Sequence, residues 1–197
     1  MKVLLVAEGL HEHGGALEKL VRRLANPPPN VEFISMKVSD PVIRTHLLRG
    51  KGPRLTKRAL RWINYAETEH CDAIVILVDE DGDPRRRAHL DLAQDETGLR
   101  LRRALGVAVR TFDAWILADE RALSMALGRT IDRQKNPEDI KDPKSAFRDL
   151  LDAEYVDSRP RDVYAAVMET VDIDLLAERC PRGFAPFASR VRSLGAK

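Results

Sequence analysis

Residues Asp72–Arg87 read DAIVILVDEDGDPRRR, and the fold turns on them. Ala73–Val78 is an unbroken run of six apolar, mostly β-branched residues, followed at once by four acids in five positions, Asp79, Glu80, Asp81 and Asp83. A continuous run of this kind is how a strand buried on both faces reads, which implies a parallel sheet. Ligand sites in such sheets lie just beyond the carboxyl ends of the strands. Four neighbouring carboxylates repel one another, so a cation is expected to offset them. If the extended conformation continues, Asp79 and Asp81 project to the same side. Such a pair suits Mg²⁺, which takes one or two carboxylates and leaves its other positions to water and substrate phosphate. The competing reading is a solvated acidic turn opening a helix, where acids favour the positive end of the dipole.

Upstream, Val3–Ala7 (VLLVA) is a second continuous apolar run, ending in Glu8-Gly9 and a turn-like stretch, Leu10–Gly15. Leu17, Leu20, Val21 and Leu24 then follow the spacing of a buried helix face. The prolines of Asn26–Asn30 stop that helix, and Val31–Val38 reads as a strand. Strand, helix, strand is the opening of a βαβ architecture. No acid lies between Asp40 and Glu67, while Arg44, Arg49, Lys51, Arg54, Lys57, Arg58 and Arg61 supply seven positive charges. Gly50–Pro53 breaks this segment, and Thr56–Glu69 reads as a helix burying Leu60, Ile63 and Trp62. Its cations form either a solvent face or an electrostatic footprint for phosphates, with Trp62 or Tyr65 available to stack on a base.

Downstream, a helix is expected to begin at Arg85 and to continue with interruptions through Leu105, stopped by Gly106, then a short strand over Val107–Arg110. Thr111 or Asp113 is placed to cap one helix carrying FDAWILADERALSMAL. Asn136-Pro137-Glu138 and Asp142-Pro143-Lys144 are helix-start signatures, and the chain reads helical from there. Phe184, Phe187, Val191 and Leu194 form one apolar stripe, read as core, as is Trp115. The expectation is an α/β fold with a mostly parallel central sheet over residues 1–110. Residues 111–197 form a C-terminal α-helical layer packed on it, within one compact domain.

Bulk properties narrow the class. The 197 residues are 44% hydrophobic and 32% charged with a net charge of +2, so any electropositive surface must come from local clustering. Two cysteines, Cys71 and Cys180, give neither metal-ligand spacing nor a disulfide framework and favour a reducing cytoplasm. No apolar run approaches membrane-spanning length, and the N-terminus is too short and too soon acidic for a signal peptide. The chain reads as cytoplasmic, with no membrane contact.

The chemistry-bearing residues gather at two strand ends, Glu8 after the first and Asp79/Asp81 after the later one. Gly9 fits a sharp turn where something approaches the backbone closely. His11-Glu12-His13 is open to two readings, transition-metal ligation with Glu8 or contact with substrate. Arg85, Arg110 and Lys144 are candidates for holding a phosphate, against a surface or capping role. Gly14-Gly15 lacks the lysine and hydroxyl of a Walker loop, so ATP binding is not expected.

A glutamate-glycine after strand one and an aspartate-x-aspartate after a later buried strand resemble the Toprim domain. That domain is shared by primases, type IA and II topoisomerases, small maturation ribonucleases and the overcoming-lysogenization-defect nucleases. More narrowly, the chain resembles a compact Toprim-related bacterial family of unknown function often encoded beside ATPases. DAWILAD at Asp113–Asp119, PEDIKDPKSAF at Pro137–Phe147 and the RCP–F–F element at Arg179–Phe187 carry that likeness. The resemblance implies a Toprim-like Rossmannoid fold, with Glu8 as general acid or base or second-metal ligand. Asp79 and Asp81 become the Mg²⁺ (or Mn²⁺) pair, with Asp83 as a further ligand. The implied reaction is phosphodiester cleavage, with nucleic acid as partner. Gly82 directly after the aspartate pair, and the lack of a tyrosine context for strand attack, favour a nuclease over a topoisomerase or primase. Two alternatives stay open: a non-catalytic adaptor or regulatory partner of an ATPase, and a small-molecule phosphohydrolase. A homodimer is compatible with any of these.

Overall fold

The structure is a computed structural model that describes residues 1–9, 12–28, 30–45, 53–151 and 160–195. Four strands, β1 (Lys2–Ala7), β2 (Glu32–Lys37), β3 (Ala73–Asp79) and β4 (Arg102–Ala108), form one sheet in the order β2-β1-β3-β4. Every pairing is parallel, with Val3 opposite Ala73 and Ala73 opposite Arg102. All strands therefore end at one edge. This is a Rossmann-like α/β fold, as the β-branched runs require.

Side-chain alternation divides the core in two. Val3, Leu5 and Ala7, with Ala73, Val75 and Leu77, face α1 (Leu17–Ala25) and the helices that follow β4. Leu4, Val6, Ile74, Ile76 and Val78 face α2 (Arg54–Thr68) and α3 (Arg85–Gln94). Nearly every residue of β1 and β3 is buried, at roughly 1.5–3 kcal/mol for each large apolar side chain. Trp62 belongs to this core. It is fully buried, with Nε1 donating to the Val38 carbonyl at 3.2 Å, which removes it as a base-stacking platform; Tyr65 packs edge-on against it.

Two local expectations are corrected. The helix begun at Arg85 ends at Gln94, and β4 starts at Arg102, so Gly106 lies inside a strand. A Cβ on Gly106 would sit 2.4 Å from the Phe187 ring, so the glycine makes room for an aromatic and stops no helix. The helix over FDAWILAD… is two pieces, α4 (Asp113–Ile116) and α5 (Glu120–Leu127). Asp119 breaks it: its Oδ1 accepts from the amides of Arg121 and Ala122 at 2.9 and 3.1 Å, while Oδ2 accepts from Asp172 at 2.8 Å.

The remaining described helices are α6 (Pro143–Asp149), α7 (Pro160–Thr170), α8 (Ile173–Arg179) and α9 (Phe184–Gly195); Asn136-Pro137-Glu138 starts only a single 3₁₀ turn, Pro137–Asp139. Phe184, Phe187, Val191 and Leu194 are buried as expected, and Trp115 packs against both phenylalanines. Cys71 and Cys180 are free and buried. Among the described residues no helix is long and apolar enough to cross a membrane.

Candidate functional site

The carboxyl edge of the sheet carries acids on both of its faces. Continuing the alternation of β1 by one residue puts Glu8 on the side of Leu4 and Val6, where α3 lies. There both Glu8 oxygens accept from the Arg86 guanidinium, at 2.9 and 2.7 Å. Arg86 also reaches Asp81 Oδ2 at 3.2 Å. It is mostly buried, at 14% side-chain exposure, against 31% for Glu8 and 61% for Asp81. Glu8 Oε2 further accepts from the Asp79 amide at 3.2 Å, which ties the ends of β1 and β3 together.

Asp79 has the phase of Val75 and Leu77 and faces the other way. Its Oδ1 accepts from the Phe112 amide at 2.8 Å. Around it stand Glu12, in a wide π-helical turn over Glu12–Ala16, and Asp113, at the start of α4. The Tyr164 hydroxyl, held between the rings of Phe112 and Phe147, donates to Asp113 Oδ1. Burial, together with Glu12, Asp113 and Asp81 nearby, pushes the Asp79 carboxyl up to about 8, against the Phe112 hydrogen bond. Burial likewise raises Glu12 to about 7; Asp113 and Glu8 add to this, and Lys144 opposes it. Burial and Asp113 also raise the Tyr164 phenol. Glu12 is only 7% exposed, and among the described residues its Oε2 has no hydrogen-bond partner.

Gly9 has a specific reason to be glycine. A Cβ there would lie 2.0 Å from Glu12 Oε2 and 2.6 Å from the carboxyl carbon. The group that approaches the backbone at Gly9 is thus the chain's own Glu12.

The expected same-side pairing of Asp79 and Asp81 is overturned. The strand ends at Asp79, and Glu80–Asp83 is a turn closed by the Asp83 amide on the Glu80 carbonyl at 2.9 Å. Asp81 adopts a left-handed φ of 49°, matched across the edge by Arg110 at 62°. The two backbones meet where the Asp81 amide donates to the Arg110 carbonyl at 3.2 Å. Left-handed backbone at a non-glycine residue costs about 1–2 kcal/mol, the kind of local strain found where a turn must aim a functional side chain.

The other candidates fall outside the acid cluster. Asp83 accepts from Arg85 Nε at 2.8 Å and from the Arg85 amide at 3.2 Å, so both are spent on opening α3; the ion pair lowers the Asp83 carboxyl and raises the Arg85 guanidinium. The Arg110 side chain lines an open cleft of ≈ 580 Å³ with Glu80, Arg87 and Arg182. Lys144 is exposed, close enough for its charge to act on Glu12. His11 lies outside the described residues. His13 turns to β2, its Nδ1 2.9 Å from Ser35 Oγ, so it does not join the acids.

Four residues of the cluster were not among the candidates: Glu12, Asp113, Arg86 and Tyr164. Glu12 was masked by its flanking histidines, yet a glycine three residues earlier was a signal. Asp113 opens DAWILAD and reads as a helix cap. Within Arg85-Arg86-Arg87 only helix phase separates the inward arginine from its neighbours. Nothing in the sequence pairs Tyr164 with Asp113.

The donor set suits a hard divalent cation: oxygen only, crowded enough to raise two carboxyls, with one buried oxygen unpartnered. Among the described residues no group of three or more His, Cys, Asp and Glu side chains is gathered closely enough to hold a metal ion. Arg86 holds Glu8 and Asp81 instead, so a cation binding these acids must displace its guanidinium.

Fold and site together define a parallel α/β protein with a buried acidic centre at the carboxyl edge of its sheet. The chain belongs to the family DUF4276, a domain of unknown function whose model matches residues 11–192. No curated protein and no solved structure matches the chain.

Proposed function

We propose that this protein is a divalent-metal-dependent phosphodiesterase of the Toprim type, a cytoplasmic nuclease using Mg²⁺ or Mn²⁺. The observation that carries the reading is the placement of five acids at one strand-end edge, Glu12, Asp79 and Asp113 on its inner face and Glu8 and Asp81 on the other, with Glu12 Oε2 buried and unpartnered among the described residues. A bound cation would stabilise charge on the phosphoryl oxygens and lower the pKa of a water nucleophile. Asp79 would hold it with Asp113 beside it on the inner face, and Glu8 and Asp81 would join from the other face once Arg86 is released. Glu12, at about 7, is matched to exchanging a proton near neutral pH and serves as general base toward the attacking water. Arg86, freed from Glu8 and Asp81, is positioned to neutralise the phosphate. Hydrolysis forms a bond from the water oxygen to phosphorus and breaks the bond to one ester oxygen, which leaves with a proton.

The deciding experiment incubates labelled single- and double-stranded DNA and RNA with the protein and Mg²⁺, Mn²⁺ or chelator, alongside Asp79→Asn. Metal-dependent cutting lost in the variant is expected. Cutting that survives in the variant, or none from the wild type, rejects the reading. One observation favours the adaptor alternative: Arg86 already balances Glu8 and Asp81 without a metal. That reading expects no turnover and a stable complex with a partner ATPase on co-purification.

A further inference from the structure

Helix α2 carries Arg54, Lys57, Arg58 and Arg61 at i, i+3, i+4 and i+7, which puts them on one face. The opposite face is buried through Ala59, Leu60, Trp62, Ile63 and Ala66. The four cations line a cleft of ≈ 530 Å³ with Val38, Ser39, Asp40 and Ile43. Among the described residues none of their side chains makes an ion pair or a hydrogen bond, and Arg61 Nε is buried without a partner. The cleft's one acid, Asp40, spends an oxygen on the Val42 amide at 2.9 Å. Like charges at this spacing destabilise a helix, so four of them converging on a recess call for an anion. A second cleft shares Arg54 and Arg58 and contains Arg86, His89 and Asp83, whose carboxylate is already paired with Arg85. The cationic surface is therefore continuous from α2 to the arginine that holds Glu8 and Asp81.

We propose that the α2 cleft binds the sugar-phosphate backbone of a nucleic-acid strand through Arg54, Lys57, Arg58 and Arg61 and leads it to Arg86 at the acidic edge. The inference rests on the phosphodiesterase reading for the identity of the anion and adds where and how the polymer is held. Arg54 to Arg61 spans about 10 Å of helix axis, long enough to meet more than one phosphate of a strand. A linear row of cations fits a repeating anion better than a single phosphate. With Trp62 buried and Tyr65 packed on it, the cleft reads backbone charge and not bases.

The test measures anisotropy of a labelled oligothymidylate of about 20 nucleotides with wild-type protein in chelator, where no cutting occurs. The exposed pair Arg54→Gln/Lys57→Gln is expected to weaken binding about tenfold and to lower the log–log salt slope by roughly one to two. Arg58→Gln alone should act in the same direction, and Lys141→Gln, which lines neither cleft, should change binding less than about twofold. Circular dichroism confirms that each variant is folded. A single-stranded oligonucleotide of the same length and mixed base sequence should bind equally well. The proposal is overturned if wild type does not bind, if the double variant binds with unchanged affinity and slope, or if tripolyphosphate displaces the strand at equal phosphate concentration. Binding in chelator that depends on α2 without any metal-dependent cutting would leave this cleft standing and remove the phosphodiesterase. Cutting with binding indifferent to α2 would do the reverse.

Discussion

On the α3 side of the strand-end edge, Glu8 and Asp81 share one guanidinium, that of Arg86. On the side of the C-terminal helices, Glu12, Asp79 and Asp113 are met by backbone amides and the Tyr164 hydroxyl, and among the described residues no cation pairs with them directly. The same residue type is thus balanced in two ways a few residues apart. One side uses a fixed cation supplied by the fold, and on the other burial raises the Glu12 and Asp79 carboxyls toward holding a proton near neutral pH. A fixed cation leaves only through conformational change, whereas a proton leaves as soon as a stronger Lewis acid arrives. On the metal-dependent function proposed above, the inner side is the one that would accept the cation first, and Arg86 would set how readily the outer side joins it.

The largest effect is expected from removing the inner side's central acid. Asp79→Asn keeps the hydrogen-bonding shape of a protonated aspartate but cannot bear charge. Metal-dependent cleavage should fall by a factor of about a thousand or more, measured on the polymer that wild type cuts. In chelator at pH 8 the variant should melt no lower than wild type, since it removes a buried group that resists ionisation. A melting temperature well below wild type would show that Asp79 acts mainly as an ionised structural anchor of Phe112.

Glu12 sharpens the comparison through pH. Its carboxyl sits at about 7 in the fold against 4.5 for the free side chain, and Asp79 at about 8 against 3.8. A raised folded value means that the native state binds the proton more tightly. The associated stability is fully present below about pH 4 and is lost as pH rises through 7 and 8. Metal-free wild type should therefore lose stability between pH 5 and 9, and Glu12→Gln should lose less. The difference between them isolates at most about 3 kcal/mol for Glu12. Denaturant titration across that range in chelator measures it; parallel curves would place Glu12 in its ordinary range.

Arg86→Met attacks the outer side. Losing the guanidinium leaves Glu8 and Asp81 facing each other with Glu8 partly buried, at a cost of about 1–3 kcal/mol to the metal-free protein. The same change should tighten Mn²⁺ binding about tenfold, because a competing positive charge is gone, while reducing cleavage if Arg86 serves the phosphate. Calorimetric titration with Mn²⁺ reads the affinity directly. Weaker binding in the variant would show that the guanidinium organises the acids and does not compete for them.

The sheet was largely legible because β1 and β3 bury both faces, and only unbroken β-branched runs do that. β4 was hidden by Arg102 and Arg103 at its start, whose guanidiniums donate to the distant Leu194 and Gln94 carbonyls. Glu8, Asp79 and Asp81 were legible as strand-end acids, but their directions were not. Direction followed from where the strand stopped, and a left-handed φ at Asp81 cannot be read from an Asp-x-Asp spacing. The division of labour within DAWILAD was equally hidden. Asp113 faces the acids and Asp119 caps a helix, a difference made by Tyr164 and Asp172 from distant sequence. The partner of Gly9 was nearer at hand, three residues on, but seeing it required the turn at Glu12–Ala16 that folds the carboxyl back over the backbone.

Asp83 gives the smallest effect and the finest distinction, since sequence alone ranks it with Asp79 and Asp81. Its carboxylate is held by Arg85 on the exterior of the turn, with the Arg85 side chain 78% exposed. An ion pair so open to solvent contributes little, and Asp83 faces neither Glu12 nor Asp113. Asp83→Asn retains the oxygen that accepts from the Arg85 amide, so the opening of α3 survives. Cleavage should fall by less than about threefold, far from the loss at Asp79. A loss comparable to Asp79→Asn would mean that the turn swings Asp83 inward on loading, joining the outer acids that Arg86 now holds.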